Sequence, residues 1–368
     1  MVYARRMDLS RRNLLRAAAM APAAWVVPRA ISAAAAPAPW RTFEITTHIE
    51  VLKPSGLTRI WIPAPLSTAT PYQRTLGGSI HAAGGKSRTV ESRADSLRIV
   101  SVEIPSGVKP EVSVIDRVMT RDFAVDLSAP GRPRRPDPAE LRHFLLATRL
   151  IPTDGIVKQT ALQITGRAPN DIDKARAIYE WIVENTYRNP KTRGCGLGNI
   201  KFMLESRDLG GKCADLNALF VGLARAAGIP ARDVYGIRVA KSGLGYKSLG
   251  ASSNVVSKAQ HCRAEVYLDE FGWTPVDPAD VRKVVLEEPP GNRPIDDQMV
   301  KQARARLFGS WEMNWMAYNF AHDVSLPGST RQLGFLMYPQ AETAEGPLDS
   351  LDPDSFKYEI TSREIVNG

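Results

Sequence analysis

From Cys213 onward, apolar side chains fall at Leu216, Leu219, Phe220, Leu223 and Ala227. The i, i+3, i+4, i+7 spacing predicts a helix with one buried face. Gly228 and Pro230 stop it, glycine taking the left-handed cap and proline being unable to continue the ladder. Gly210 and Gly211 ahead of it permit a tight turn and the close approach of another group. They deliver a cysteine to the first turn, where unpaired N–H groups and the helix dipole favour a thiolate. A second helix is predicted from Ile172, Ala175, Ile178, Tyr179 and Ile182, capped by Asn170 or Asp171.

Elsewhere the period is two. Phe43, Ile45 and Thr47 share one side of a run within Trp40 to Pro63, and further strand-like runs cover Leu97–Ile104 and Val112–Met119. Gly-Gly, Ser-Gly and Pro punctuation between them predicts a small antiparallel β-rich domain, a sandwich, over residues 37–130. Residues 131–138, Gly-Arg-Pro-Arg-Arg-Pro-Asp-Pro, form a stiff charged linker. Gly194-Cys195-Gly196-Leu197-Gly198 lacks the Gly-Lys-Ser/Thr ending of a phosphate cradle and is predicted as a tight loop. A Gly/Ser/Lys-rich stretch between Val239 and Ala259 covers substrate or is a plain connection. Trp311, Met313 and Trp315 alternate as on a strand face, and Phe356–Ile360 is predicted as a last strand.

With 43% hydrophobic and 24% charged residues over 368, the composition is that of a globular protein with room for two domains. The net charge of +9 is partly local: residues 1–36 hold six arginines and one aspartate, leaving about +4 for the rest. No lysine–arginine run interleaved with aromatics remains, so no nucleic-acid partner is expected. Ser10-Arg11-Arg12-Asn13-Leu14-Leu15-Arg16, the apolar stretch Ala17 to Val27 and the small residues Ser32 to Ala36 resemble a twin-arginine export signal over 1–36. The apolar stretch is too short for a stable membrane span. The precursor is therefore expected to engage the twin-arginine export machinery, and the mature protein to be periplasmic or secreted.

Downstream of the Cys213 helix lie Gln260-His261-Cys262-Arg263-Ala264-Glu265 and Gly272-Trp273-Thr274-Pro275-Val276-Asp277-Pro278. Gly-Gly-Lys-Cys213 opening a helix, the Arg-Ala-Ala-Gly-Ile-Pro-Ala-Arg exit, a strand beginning at a histidine and Gly-Trp-x-x-Val-Asp-Pro together resemble the transglutaminase-like superfamily. The resemblance spans roughly residues 140–285. It implies an α+β, papain-like fold, with a nucleophile helix packed on an antiparallel sheet, and a catalytic triad of Cys213, His261 and Asp277. On this view 139–290 is the catalytic core, and 291–368 is a C-terminal extension packing on it.

The chemistry implied is attack of a thiolate on an amide carbonyl, with the histidine moving the proton and the carboxylate fixing its tautomer. Water as acceptor makes the protein a peptidase or amidase on peptide or protein substrates, the favoured reading. An amine acceptor makes it a protein-glutamine transglutaminase; the third possibility is a catalytically silent binding module. A hairpin pairing Leu268 with Gly272 sets Asp277 diagonally beside His261, whereas a turn one residue different brings Asp280 opposite it. Asp277 is the expected partner. Three cysteines in an oxidising compartment leave one unpaired. With Cys213 as that one, Cys195 and Cys262 are expected to form a disulfide. No metal or other cofactor is expected: Cys195, Cys213, His261 and Cys262 lack the paired knuckles of a zinc site, and no loop shows the calcium pattern. His48 and His81 are read as strand residues, and adjacent His322 and Asp323 as pointing apart.

Overall fold

The alternation in Arg41–Val51 buries Phe43, Ile45, Thr47, Ile49 and Val51 on one face. In the computed structural model, which describes residues 38–366 apart from 132 and 134, this strand is central in a four-stranded antiparallel sheet. The expected export signal lies outside the described residues. Glu111–Thr120 pairs on one side of Arg41–Val51, with Gln73–Ala82 beyond it. A second sheet contains Thr58–Pro63, Leu97–Ile104 and Lys86–Ser92. Ile49, Ile60, Val100, Val112 and Val114 belong to one core shared by the two sheets, as in a sandwich.

The C-terminal residues take a larger part in this sandwich than the sequence reading allowed. Phe356–Ile365 pairs with Arg41–Val51 from Thr42↔Ile365 to Val51↔Phe356, and Gln340–Thr343 pairs with Thr58–Pro63. Residues 291–368 are thus not only an extension on the core, and the β-rich part is not built from 37–130 alone. Without these strands both sheets would present a row of unpaired backbone groups.

The other half of the fold centres on helix Cys213–Ala226. It packs on an antiparallel sheet ordered Gly272–Val276, Gln260–Leu268, Ala231–Arg238, Trp315–Asn319. The last of these strands again comes from beyond residue 290. Helices Gly155–Thr165, Asp171–Asn185 and Ile200–Ser206 cover the helix elsewhere. All fourteen of its residues are buried, so the expectation of a single buried face falls short. Small residues permit this: a Cβ on Gly222 would meet Ile200 Cδ1 at 2.1 Å. Gly228, at φ +88°, ends the helix as expected, and Asn170 Oδ1 caps Asp171–Asn185 by accepting from Asp173 N at 2.9 Å.

Candidate active site

The first turn of the Cys213 helix is fixed by a carboxylate. Asp215 accepts from its own chain at Lys212 N (3.0 Å) and from Leu197 N and Gly198 N (both 2.9 Å), tying the glycine-rich loop to the helix start. Gly196, at φ +95°, sits so close that a Cβ there would lie 1.8 Å from Asp215 Oδ2. Gly210 and Gly211 serve close approach and not a left-handed turn: neither has a positive φ, and added Cβ atoms would strike the Tyr187 ring at 2.2 Å and Asp215 at 2.5 Å. The tethered loop presents the Cys195 carbonyl to Ala214 N at 2.9 Å, which lays Cys195 alongside Cys213.

All three cysteines are free and buried, so the expected Cys195–Cys262 disulfide is absent. The Cys195 sulfur donates to the Gln260 carbonyl at 3.4 Å, and the Cys262 sulfur lies 3.8 Å from that of Met337. The neighbouring Cys195 and Cys262, with a further contribution from His261, hold the Cys213 thiol well below the ordinary cysteine range against the opposing effect of burial. The Cys195 thiol is pushed up, first by Cys213, and burial chiefly pushes up Cys262. Cys213 is the member of the cluster that carries the charge.

His261 stands on Gln260–Leu268, paired with Gly272–Val276 in the register Leu268↔Gly272 to Ala264↔Val276. That is the hairpin expected from the sequence, and it brings Asp277 Oδ2 to 2.8 Å from His261 Nε2. Nδ1 is then the ring nitrogen left for Cys213. Asp277 also caps helix Pro278–Glu287, its Oδ1 accepting from Asp280 N at 3.0 Å and from Asn217 Nδ2 at 3.2 Å. The same helical turn returns Asp280 to the site, with Oδ1 3.3 Å from His261 Nε2. Both carboxylates therefore touch the imidazole, where the sequence reading set them as alternatives.

Two buried guanidinium groups complete the arrangement. Arg238 grips Asp280 with bonds of 2.6 and 2.8 Å. Arg263 lies with Nε 3.6 Å from Asp277 Oδ2, its guanidinium 5.3 and 4.7 Å from the ring centroids of Trp311 and Trp315. Burial opposes the imidazolium, but Asp280 and Asp277 outweigh it, and the His261 pKa is raised to about 9. Burial acts against ionised Asp280 too, yet Arg238 and His261 hold it well below the usual carboxylate range. Burial, then Asp280, raise Asp277, and burial lowers Arg263 to about 10. Three buried cations, His261, Arg238 and Arg263, face the carboxylates of Asp277 and Asp280; a Cys213 thiolate supplies the third negative charge. Ligand atoms of His261, Asp277 and Asp280 lie within 4.8 Å of one another, but a metal ion among them would face both arginines.

A cavity of about 560 Å³ opens over Cys213 and His261. Residues 250–252 and 255 of the connection before the histidine strand form one wall, and Tyr338, Leu351 and Phe356 another. His322 lies apart from this group, with Nε2 3.1 Å from Asp233 Oδ2, while Asp323 accepts from Arg149 N at 2.9 Å.

A model of the transglutaminase-like superfamily matches residues 158–278. A Haemophilus influenzae protein whose name assigns no function is 34% identical over 345 residues, covering 88% of this chain and 91% of that one. Residues 158–278 are a domain of the transglutaminase-like superfamily. Among solved structures, one from Cytophaga hutchinsonii described as a proposed cysteine protease is 16% identical, with 89% of this chain and 99% of that one covered and a TM-score of 0.48. The periplasmic domain of TgpA from Pseudomonas aeruginosa is 18% identical, covering 68% and 93%, with a TM-score of 0.34. Red sea bream transglutaminase is 12% identical, covering 84% and 60%, at 0.28.

The superfamily match contains Cys213, His261 and Asp277 and ends before Asp280. The sequence reading left Asp280 as an alternative and assigned no part to Arg238, Asn217, Asp215 or Arg263. For Asp280 a signal existed: Asp-Pro-x-Asp reads as a helix cap followed by an acidic first turn, which places both carboxylates at one helix end. Arg238 had none, because its partner is 42 residues away.

Proposed function

We propose that the protein is a cysteine-dependent amide hydrolase acting on peptides or proteins outside the cytoplasm, with Cys213 as nucleophile, His261 as general acid and base, and Asp277 orienting the imidazole. The observation that carries this is one buried group: a cysteine at a helix N-terminus, lining one cavity with a histidine whose Nε2 is held by Asp277 at 2.8 Å. The thiolate sulfur attacks the substrate carbonyl, and the Cys213 backbone N–H at the helix start favours the oxyanion. The C–N bond breaks as His261 gives its proton to the leaving amine, leaving a thioester on Cys213. Water then gives a proton to His261 and its oxygen to the carbonyl, the C–S bond breaks, and the free acid and the thiolate return. Five basic residues and no acidic one among the cleft walls favour water over a protonated amine as the acceptor. The twin-arginine-like sequence of residues 1–36 supports a site outside the cytoplasm; among the described residues, no helix is long and apolar enough to cross a membrane.

The test is peptide turnover in ¹⁸O-water. Hydrolysis places the label in a new carboxyl group, and Cys213→Ala should reduce its appearance by several orders of magnitude while leaving the fold intact. Undiminished labelling in that variant would end the nucleophile assignment. Incorporation of dansylcadaverine with no labelled acid would reassign the acceptor to an amine.

A further inference from the structure

The cleft has a chemistry of its own beyond the reacting groups. Its walls include Arg188, Lys212, Arg238, Lys258 and Lys283. Two carboxylates answer these five cations. Asp280 occupies Arg238, and Glu287, which is not a wall residue, serves both Arg188 and Lys283, lying 3.7 Å from the latter. Lys212 and Lys258 have no carboxylate within ion-pair distance among the described residues. Lys212 directly precedes the nucleophile, and Lys258 stands three residues before His261, so the two free ammonium groups flank the candidate reacting pair in the chain.

A second observation is independent of this charge. Leu351, Tyr338 and Phe356 supply apolar wall beside these polar groups. That combination suits a peptide with an acidic group better than a small inorganic anion.

We propose that this cleft selects acyl donors carrying a free carboxylate, acidic peptides in particular, bound with the carboxylate against Lys212 and Lys258. This selectivity rests on the reading of Cys213 as the nucleophile. The excess positive charge raises the local concentration of such donors, and it weakens as salt screens it.

Alkylation of Cys213 by iodoacetate and by iodoacetamide, located by peptide mapping and each normalised to the same reaction with glutathione, separates the two readings. The intact protein should favour the anionic reagent by on the order of tenfold or more. Lys212→Gln with Lys258→Gln should bring the ratio most of the way towards one. Tri-glutamate should slow labelling by iodoacetamide, and tri-lysine should not. Fast alkylation with no anion preference, a preference unchanged in the double variant, or equal protection by the two peptides would overturn the proposed selectivity and leave the nucleophile in place. A Cys213 no faster than glutathione with either reagent would overturn the nucleophile reading and the selectivity with it.

Discussion

Asp280 is the side chain whose part changes most between sequence and structure. A hairpin argument alone gives His261 one carboxylate and predicts little cost for losing Asp280. In the folded chain Asp280 lies 3.3 Å from His261 and neutralises a fully buried Arg238. Removing its charge leaves that guanidinium unpaired, which typically costs about 3–5 kcal/mol. Because the pKa of His261 is raised to about 9 from an ordinary 6.5, the imidazolium contributes stability that is fully present below about pH 6.5 and is lost as pH rises through about 9. The thiolate–imidazolium pair should disappear over the same upper range. Asp280→Asn should therefore lower the urea midpoint at pH 7 and move the alkaline limb of activity downward in pH. An unchanged limb, measured on folded variant, would show that Asp277 alone sets the imidazole. Asp277→Asn should instead slow turnover by on the order of 10²–10⁴-fold through mis-set tautomers.

At the scale of elements, the Cys213 helix shows how pattern and packing differ. Its periodic stripe of Leu216, Leu219, Phe220 and Leu223 was legible because a helix repeats every 3.6 residues whatever surrounds it. That the opposite side is buried too depends on Gly222 and the alanines, which carry no hydrophobic signal of comparable strength. Gly222→Ala places a methyl where Ile200 Cδ1 would be 2.1 Å away, so Ile200 or its helix must move. Despite alanine's higher helix propensity, the variant should lose about 1–3 kcal/mol in denaturant unfolding. A stabilised variant would mean that the contact relaxes freely. The strand hairpin was legible for the opposite reason: its register follows from a short turn and a period of two, both local, and Gly272 at φ +75° makes the turn.

Across the whole molecule, the first described strand and the last are neighbours. Phe356 and Ile360 are 1% exposed, and Phe356 joins the sandwich core. The sequence reading foresaw a final strand but not its partner, since no local pattern says which of several open edges it will meet. Deleting residues 356–366 should do more than trim a tail. It opens the edge of Arg41–Val51, uncovers Ile49 and Val51, and removes Phe356 and Tyr358 from the cleft wall. Limited proteolysis should then cut within residues 38–130, whereas the full chain resists. Equal resistance of the two would show that the sandwich stands without its C-terminal strand.

By itself the amino-acid sequence determined the features that need only neighbours in the chain. These are a cysteine at the start of an apolar helix, a histidine at the start of a strand, and the two-residue period that sets Asp277 beside it. Tertiary structure decided what depends on elements meeting. It set Cys195 against the Gln260 carbonyl and Cys262 against Met337 instead of against each other, with all three thiols free. It brought Arg238 to Asp280 across 42 residues and gathered unpaired lysines around one cleft. Loop closure and burial govern those meetings, and both are properties of the whole chain: the ordering of one segment becomes favourable only when a distant one covers it.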